Sequence, residues 1–179
     1  MRSSDPLSNP GPLIRRTYAY VAYRLGDGPD AEDVTSATIE RALRYRKSYD
    51  PRKGDPISWL IGIARTCVAD HVGARVPTAS HPEEVAGSVD LEADVLRRLT
   101  VAEAVAGLDE RDQELIALRF GADLSAHAIA GLLGMTTNAV EVALHRSRER
   151  LRGELIRVGY AHESRSRRPL GDVRAEAPS

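Results

Sequence analysis

Leu124-Ser125-Ala126-His127-Ala128-Ile129-Ala130-Gly131-Leu132-Leu133-Gly134-Met135-Thr136-Thr137-Asn138-Ala139-Val140-Glu141-Val142-Ala143-Leu144-His145-Arg146 reads as two helices meeting at a glycine turn. Ser125 is a good N-cap for the first, which runs to 133. Ala130 is small enough for a second helix to cross closely. Gly134 follows Leu133, where a left-handed residue ends a helix. Met135 fills the turn, and Thr136 or Thr137 caps a second helix reaching to about residue 156. On that helix Val140, Leu144 and Leu151 point to a core, with Ser147 beside them. The opposite face carries Asn138, Glu141, Val142, His145 and Arg152, flanked by Arg146 and Arg148. Short polar side chains at a helix start with arginines behind suit a DNA major groove: early residues read base edges and later ones hold phosphates. Glu141 opposes phosphate but can accept a hydrogen bond from cytosine N4. The competing reading is an ordinary helical hairpin with a solvated polar face.

Helical periodicity continues outward on both sides. Upstream, a helix over about 91–106 ends at Gly107, with Leu91, Val95, Leu99, Ala102 and Val105 or Ala106 in register. Asp109 caps the next, with Leu115, Leu118 and Phe120 inward and Gly121 at its end. Residues 77–97 contain Pro77, Pro82, Gly87 and several acids, and read as a linker. Before it, Leu13, Thr17, Val21 and Leu25 share a face of a helix starting after Pro12. Asp30 is placed to cap a second helix to about Arg46, with Asp33 roughly completing a capping box. Its apolar side is Ala31, Val34, Thr38, Ala42 and Tyr45; Asp33, Ser36, Glu40 and Arg44 lie elsewhere on it. A third helix from Pro56 or Ile57 carries a wide stripe of Trp59, Leu60, Ile63, Ala64, Cys67, Val68 and Val72. Residues 1–12 and 160–179 lack periodicity and read as a disordered leader and tail. No segment alternates like a strand. The expected fold is all-α: two small helical domains, 13–76 and 98–159, joined by a flexible linker.

Composition narrows the function classes. The chain has 179 residues and a net charge of −1, so its overall charge does not mark a nucleic-acid binder. Local fields matter more. Acids prevail from Glu103 to Asp123, and arginines return at 146, 148, 150, 152 and 157. Residues 45–53 (Tyr45, Arg46, Lys47, Tyr49, Arg52, Lys53) form a basic, tyrosine-bearing loop suited to a single strand, since bases stack on rings and phosphates follow charge. A solvated turn whose rings cover helix ends is the alternative. The residues 56–64 are far short of the ~20 apolar residues of a membrane span, and no signal core follows Met1. The single Cys67 excludes an internal disulfide and lies on an apolar stripe. A cytoplasmic protein is expected. No two histidines fall at i, i+4, and there is no P-loop and no GxSxG, so no catalytic, metal or cofactor site is expected.

Two separated stretches together resemble the bacterial RNA polymerase sigma factors of the extracytoplasmic-function class. The first covers 13–75: Arg24-Leu25-Gly26-Asp27, Asp30-Ala31-Glu32-Asp33-Val34, Trp59-Leu60-Ile61-Gly62-Ile63-Ala64-Arg65 and Asp70-His71. The second covers 98–156: Leu108, Arg111, Leu118-Arg119-Phe120, Leu124-Ser125, Ile129-Ala130, Leu133-Gly134, Val140 and residues 144–152. The resemblance implies region two of such a factor in the first stretch and region four in the second. It implies a chain that binds core polymerase and directs it to promoters. Glu32, Asp33, Ser36 and Glu40 would meet the clamp helices of the largest subunit, and region four the flap of the second-largest. Tyr49, Arg52, Lys53, Trp59, Arg65 and Arg75 would handle the single strand at the minus-ten element. Thr137, Asn138, Glu141, Val142, His145, Arg146 and Arg148 would read the minus-thirty-five duplex. An anti-sigma protein is an implied inhibitor. A free-standing helix-turn-helix regulator that never joins polymerase is the rival class.

Overall fold

The structure, a computed structural model, describes residues 5–74 and 99–166, with side chains to 159. The linker expected over 77–97, Arg75 and residues 167–179 lie outside the described residues. Among those described there is no strand, and the fold is all-α.

The first region is a three-helix unit: α1 (Pro10–Leu25), α2 (Pro29–Tyr45) and α3 (Pro56–Ala74). Each starts at proline, whose missing N–H is harmless in a first turn. That explains why α1 begins at Pro10 rather than after Pro12: Pro10 and Pro12 both fit its opening turn. Residues expected as leader also form a turn, with Ser8 N–H donating to the Asp5 carbonyl at 3.1 Å. The cap of α2 differs from expectation. Gly28, at φ 142°, is its N-cap and Pro29 opens the helix, so Asp30 and Glu32 lie inside the first turn. There they favour the positive end of the helix dipole. Between α2 and α3 a short 3-10 turn (Arg46–Ser48) leads into the loop.

Thr17, Tyr20 and Val21 of α1, Ala31, Val34, Thr38 and Ala42 of α2, and Ile57, Leu60, Ile61, Ala64, Cys67 and Val68 of α3 are buried. Tyr45 and Val72, expected inward, are exposed. Each ends its helix's stripe, where no neighbour among the described residues covers it. Tyr20 falls outside the expected stripe of α1 and is buried all the same.

The second region begins with α4, helical over 99–106. Its buried residues are Ala104 and Val105; Leu99 and Ala102 of the expected register are exposed. Asp109 caps α5 (Glu110–Ile116) as expected, accepting from Asp112 N–H at 2.8 Å. A five-residue π turn, Ala117–Gly121, then replaces the regular helix end. Leu115 and Leu118 stay buried, but the wider turn carries Phe120 outward, correcting its inward assignment. Next come α6 (Ala126–Leu133) and α7 (Thr137–Ser166). α7 runs beyond the expected end near 156 and takes in part of the expected tail.

The two regions do not stand apart. One continuous apolar core takes in Tyr20, Val21, Ile61 and Val68 of the first region and Leu115, Leu118, Ile129, Val140 and Leu144 of the second. Val105, Leu108 and Ile116 form a smaller cluster, with Tyr23 of α1 packed against it.

Candidate nucleic-acid interface

α6 and α7 are joined as their sequence predicts. Ser125 Oγ accepts from Ala128 N–H at 3.1 Å and starts α6. Gly134 ends it at φ 65°, ψ 33°, a left-handed conformation costly for a side chain with Cβ. Met135 N–H returns to the Ala130 carbonyl at 3.0 Å. Thr136 Oγ1 then accepts from Ala139 N–H at 3.2 Å, which makes Thr136 the cap of α7.

Val140, Leu144 and Ser147 are buried under α7. Asn138, Glu141, Val142, His145, Arg146 and Arg148 are exposed, and Thr137 is half-buried at the helix start. Residues 138, 141, 142 and 145 follow the i, i+3, i+4, i+7 spacing of one helical face. Phe120 reaches the far end of this side, where it lines a shallow groove with His145, Arg148, Leu151 and Arg152.

What holds α7 at this attitude was not legible in the sequence. Asp112 of α5 is buried, and its carboxylate accepts from Ser147 Oγ at 2.7 Å and from Arg150 Nη1. That charge-assisted bond holds the Arg150 guanidinium above its usual pKa. The one hint was Ser147, a polar residue in an apolar stripe.

The first region presents two further groups. Glu32, Asp33, Ser36 and Glu40 are all exposed on α2. Tyr49 and Trp59 meet edge to face, with ring centroids 5.7 Å apart. Tyr49 O–H donates to the Gly54 carbonyl at 3.1 Å and closes the loop. Burial, then the nearby Asp55 and Asp50, push the Tyr49 hydroxyl pKa up. Arg52 doubles back on Asp50, with both its Nε and Nη2 3.1 Å from the carboxylate, and holds that carboxyl below its usual pKa. Lys53 is exposed. The structure thus brings together Tyr49, Trp59, Arg52 and Lys53. It does not bring Arg65 to them. Arg65 Nε is 2.7 Å from Glu114 Oε1, and its Nη1 donates to the Leu132 carbonyl at 3.2 Å.

Among the described residues no His, Cys, Asp or Glu side chains gather as metal ligands. No helix among them is long and apolar enough to cross a membrane.

Comparison with known proteins follows this division. The family model for sigma-70 region 2 matches residues 12–76, and that for sigma-70 region 4 matches residues 98–151. The sigma factor BldN of Streptomyces coelicolor, an extracytoplasmic-function factor, is 34% identical over 138 residues, covering 73% of this chain and 52% of BldN. SigD of Mycobacterium bovis, of the same class, is 34% identical over 140 residues, covering 72% of this chain and 63% of SigD. The chain thus spans between half and two-thirds of these relatives' lengths. Two solved structures share the fold. One is the sigma factor RpoE with the anti-sigma factor NepR from Bartonella quintana: TM-score 0.60, 21% identity, 80% of this chain and 91% of that one. The other is CnrH with the cytosolic domain of CnrY: TM-score 0.57, 23% identity, 80% of each chain. With both regions matched in order, and with relatives that share the class, the chain belongs to the sigma-70 family, among its extracytoplasmic-function members.

Proposed function

We propose that this chain is a polymerase sigma subunit that supplies promoter preference and carries out no chemistry of its own. The observation that carries the reading is the exposed face of α7, fixed by a capped turn and a buried anchor, in one chain with an exposed acidic face on α2. In this reading Asn138, Glu141, Val142 and His145 meet base edges. Thr137, Arg146 and Arg148 hold phosphates. Tyr49, Trp59, Arg52 and Lys53 take the melted strand, and Glu32, Asp33, Ser36 and Glu40 dock core polymerase. An anti-sigma protein is a natural regulator, since both structural relatives were solved with an inhibitory or cytosolic partner protein. Cytoplasmic residence fits that role.

Two substitutions probe the docking. Arg148→Ala removes one phosphate partner. It should weaken binding to all duplexes alike and lower the salt slope by about one. Asn138→Ala should instead relax preference at one or two base pairs, at about 1–3 kcal/mol for a lost bidentate contact. Competition titrations on a randomised duplex at two salt concentrations separate the two effects. The reading as a whole is tested by transcription with purified core polymerase, with and without this chain, with start sites mapped. Promoter-specific starts that need the chain support it. Duplex binding without entry into the enzyme would mark a free-standing regulator instead.

A further inference from the structure

The exposed face of α7 is segregated by charge. From residue 120 to residue 145 the chain holds two acids, Asp123 and Glu141, and neither Lys nor Arg. The arginines of α7 begin at Arg146. Glu141 sits just over one turn into the helix, on the side shared by Asn138 and His145, and all three are exposed.

The Glu141 carboxylate is unanswered within the protein. Among the described residues its side chain makes no hydrogen bond and no ion pair. Neighbouring acids differ. Asp112 is held by Ser147 and Arg150, and Glu154 by Arg157. Glu149, two turns beyond Glu141, lines the shallow groove with Arg148 and Arg152. The nearest arginine on the face of Glu141 is Arg148, seven residues on. At about 1.5 Å per residue that is roughly 10 Å along the axis, about one screening length at ordinary salt. Arg148 therefore neutralises little of the Glu141 charge.

An acid so placed is costly in a DNA groove. The major groove is about 12 Å wide and is bordered on both sides by phosphates. A carboxylate there loses water and meets negative charge on either side, so it needs a donor in return. It can only accept. Base edges in this groove offer donors at cytosine N4 and adenine N6, while guanine and thymine present acceptors or a methyl group. Adenine sets its N7 acceptor beside N6, which repels the second carboxylate oxygen, whereas cytosine has no acceptor there. The chemistry singles out cytosine.

We propose that Glu141 is the specificity filter of α7: it admits a cytosine at one position of the duplex and turns away the other bases there, at a general loss of affinity for DNA. The inference deepens the reading of α7 as the duplex-reading helix and rests on it. Rejection does more here than attraction. On a wrong base the carboxylate is desolvated without a partner. On the right one the cytosine amino group replaces the lost water. The arginines from Arg146 onward supply phosphate affinity that offsets the acid.

The test uses the full chain, alone and with core polymerase. Each is bound to a duplex pool randomised over the minus-thirty-five element, and the bound molecules are sequenced. For the wild type one column should favour cytosine about tenfold over guanine or thymine, the scale of one mismatched pair. Glu141→Gln adds an amide donor at nearly the same size. The same column should then turn from cytosine to adenine, which pairs with an amide through N6 and N7. Glu141→Ala should flatten that column alone and raise binding to unrelated duplex several-fold. Because Glu141 is exposed and its side chain bonds to nothing else described, both variants should keep the fold. Columns unchanged in both variants would overturn the proposal, as would a Glu141→Ala chain that binds every duplex more weakly. If preference elsewhere in the pool survives that result, the sigma reading stands without the filter. A cytosine column that answers to Glu141 in the free chain, with no entry into polymerase, would support the filter and count against the sigma reading.

Discussion

Leu118→Ala should lower the unfolding free energy by about 2–5 kcal/mol, the range for emptying a buried leucine site. Phe120→Ala, two residues on, should cost on the order of 1 kcal/mol, because half of its ring already meets water. The contrast follows from the π turn. In it Ala122 N–H donates to the Ala117 carbonyl at 2.9 Å, five residues back instead of four. Each residue in such a turn advances less around the axis than in an α-helix, so the apolar stripe loses register after Leu118. Leu118 is fully buried in the core shared by both regions, whereas Phe120 is 49% exposed. Urea unfolding followed by far-ultraviolet circular dichroism measures both, and an unchanged m-value would show that stability alone has moved. Equal losses at the two positions would mean that the α5 stripe runs straight on to Gly121.

That pair of residues also shows where local reasoning stops. Ser125, Gly134 and Asp109 were readable because a cap acts on backbone groups within a few residues of itself. The pattern of α3 was readable because its stripe is wide enough to survive any partner. Phe120 was misplaced because periodicity assumes 3.6 residues per turn, and nothing in Ala117-Leu118-Arg119-Phe120-Gly121 announces a wider one. Gly121 offered a signal that was read only as a helix end; its other property, absence of a Cβ, is what lets α1 approach. Tyr20, Arg24 and Arg65 could not be placed from sequence at all. Their partner Glu114 lies 94, 90 and 49 residues away, and one carboxylate among many carries no address. The same holds for Arg65 as a single-strand contact: the family pattern names the position, while the structure gives its guanidinium to Glu114. The exposed faces of α2 and α7 were the most legible part of the candidate site, since residues left off an apolar stripe are those free to meet a partner.

Asp112→Ala should cost about 1–3 kcal/mol of stability, chiefly from loss of the buried carboxylate's hydrogen bond with Ser147. The acid is only 3% exposed and its bond to buried Ser147 is little weakened by water, whereas the Arg150 side chain is 57% exposed and its pairing is screened. Ser147 would retain its bond to the Ala143 carbonyl at 3.0 Å, which limits the loss on that side. Arg150, already exposed, would lose its carboxylate partner on a helix that also carries Arg146, Arg148 and Arg152. Two effects on DNA should then diverge. Affinity for arbitrary duplex should hold or rise, because one more cation is available to phosphate. Preference for the proper site should fall, because α7 is no longer pinned to α5 and its base-reading residues lose their fixed position. Ratio measurements of specific to non-specific binding, beside amide exchange along α7, read both. Faster exchange in α7 with a reduced ratio is the expected outcome. An unchanged ratio in a destabilised protein would mean that Asp112 supports the fold without setting the attitude of the recognition helix.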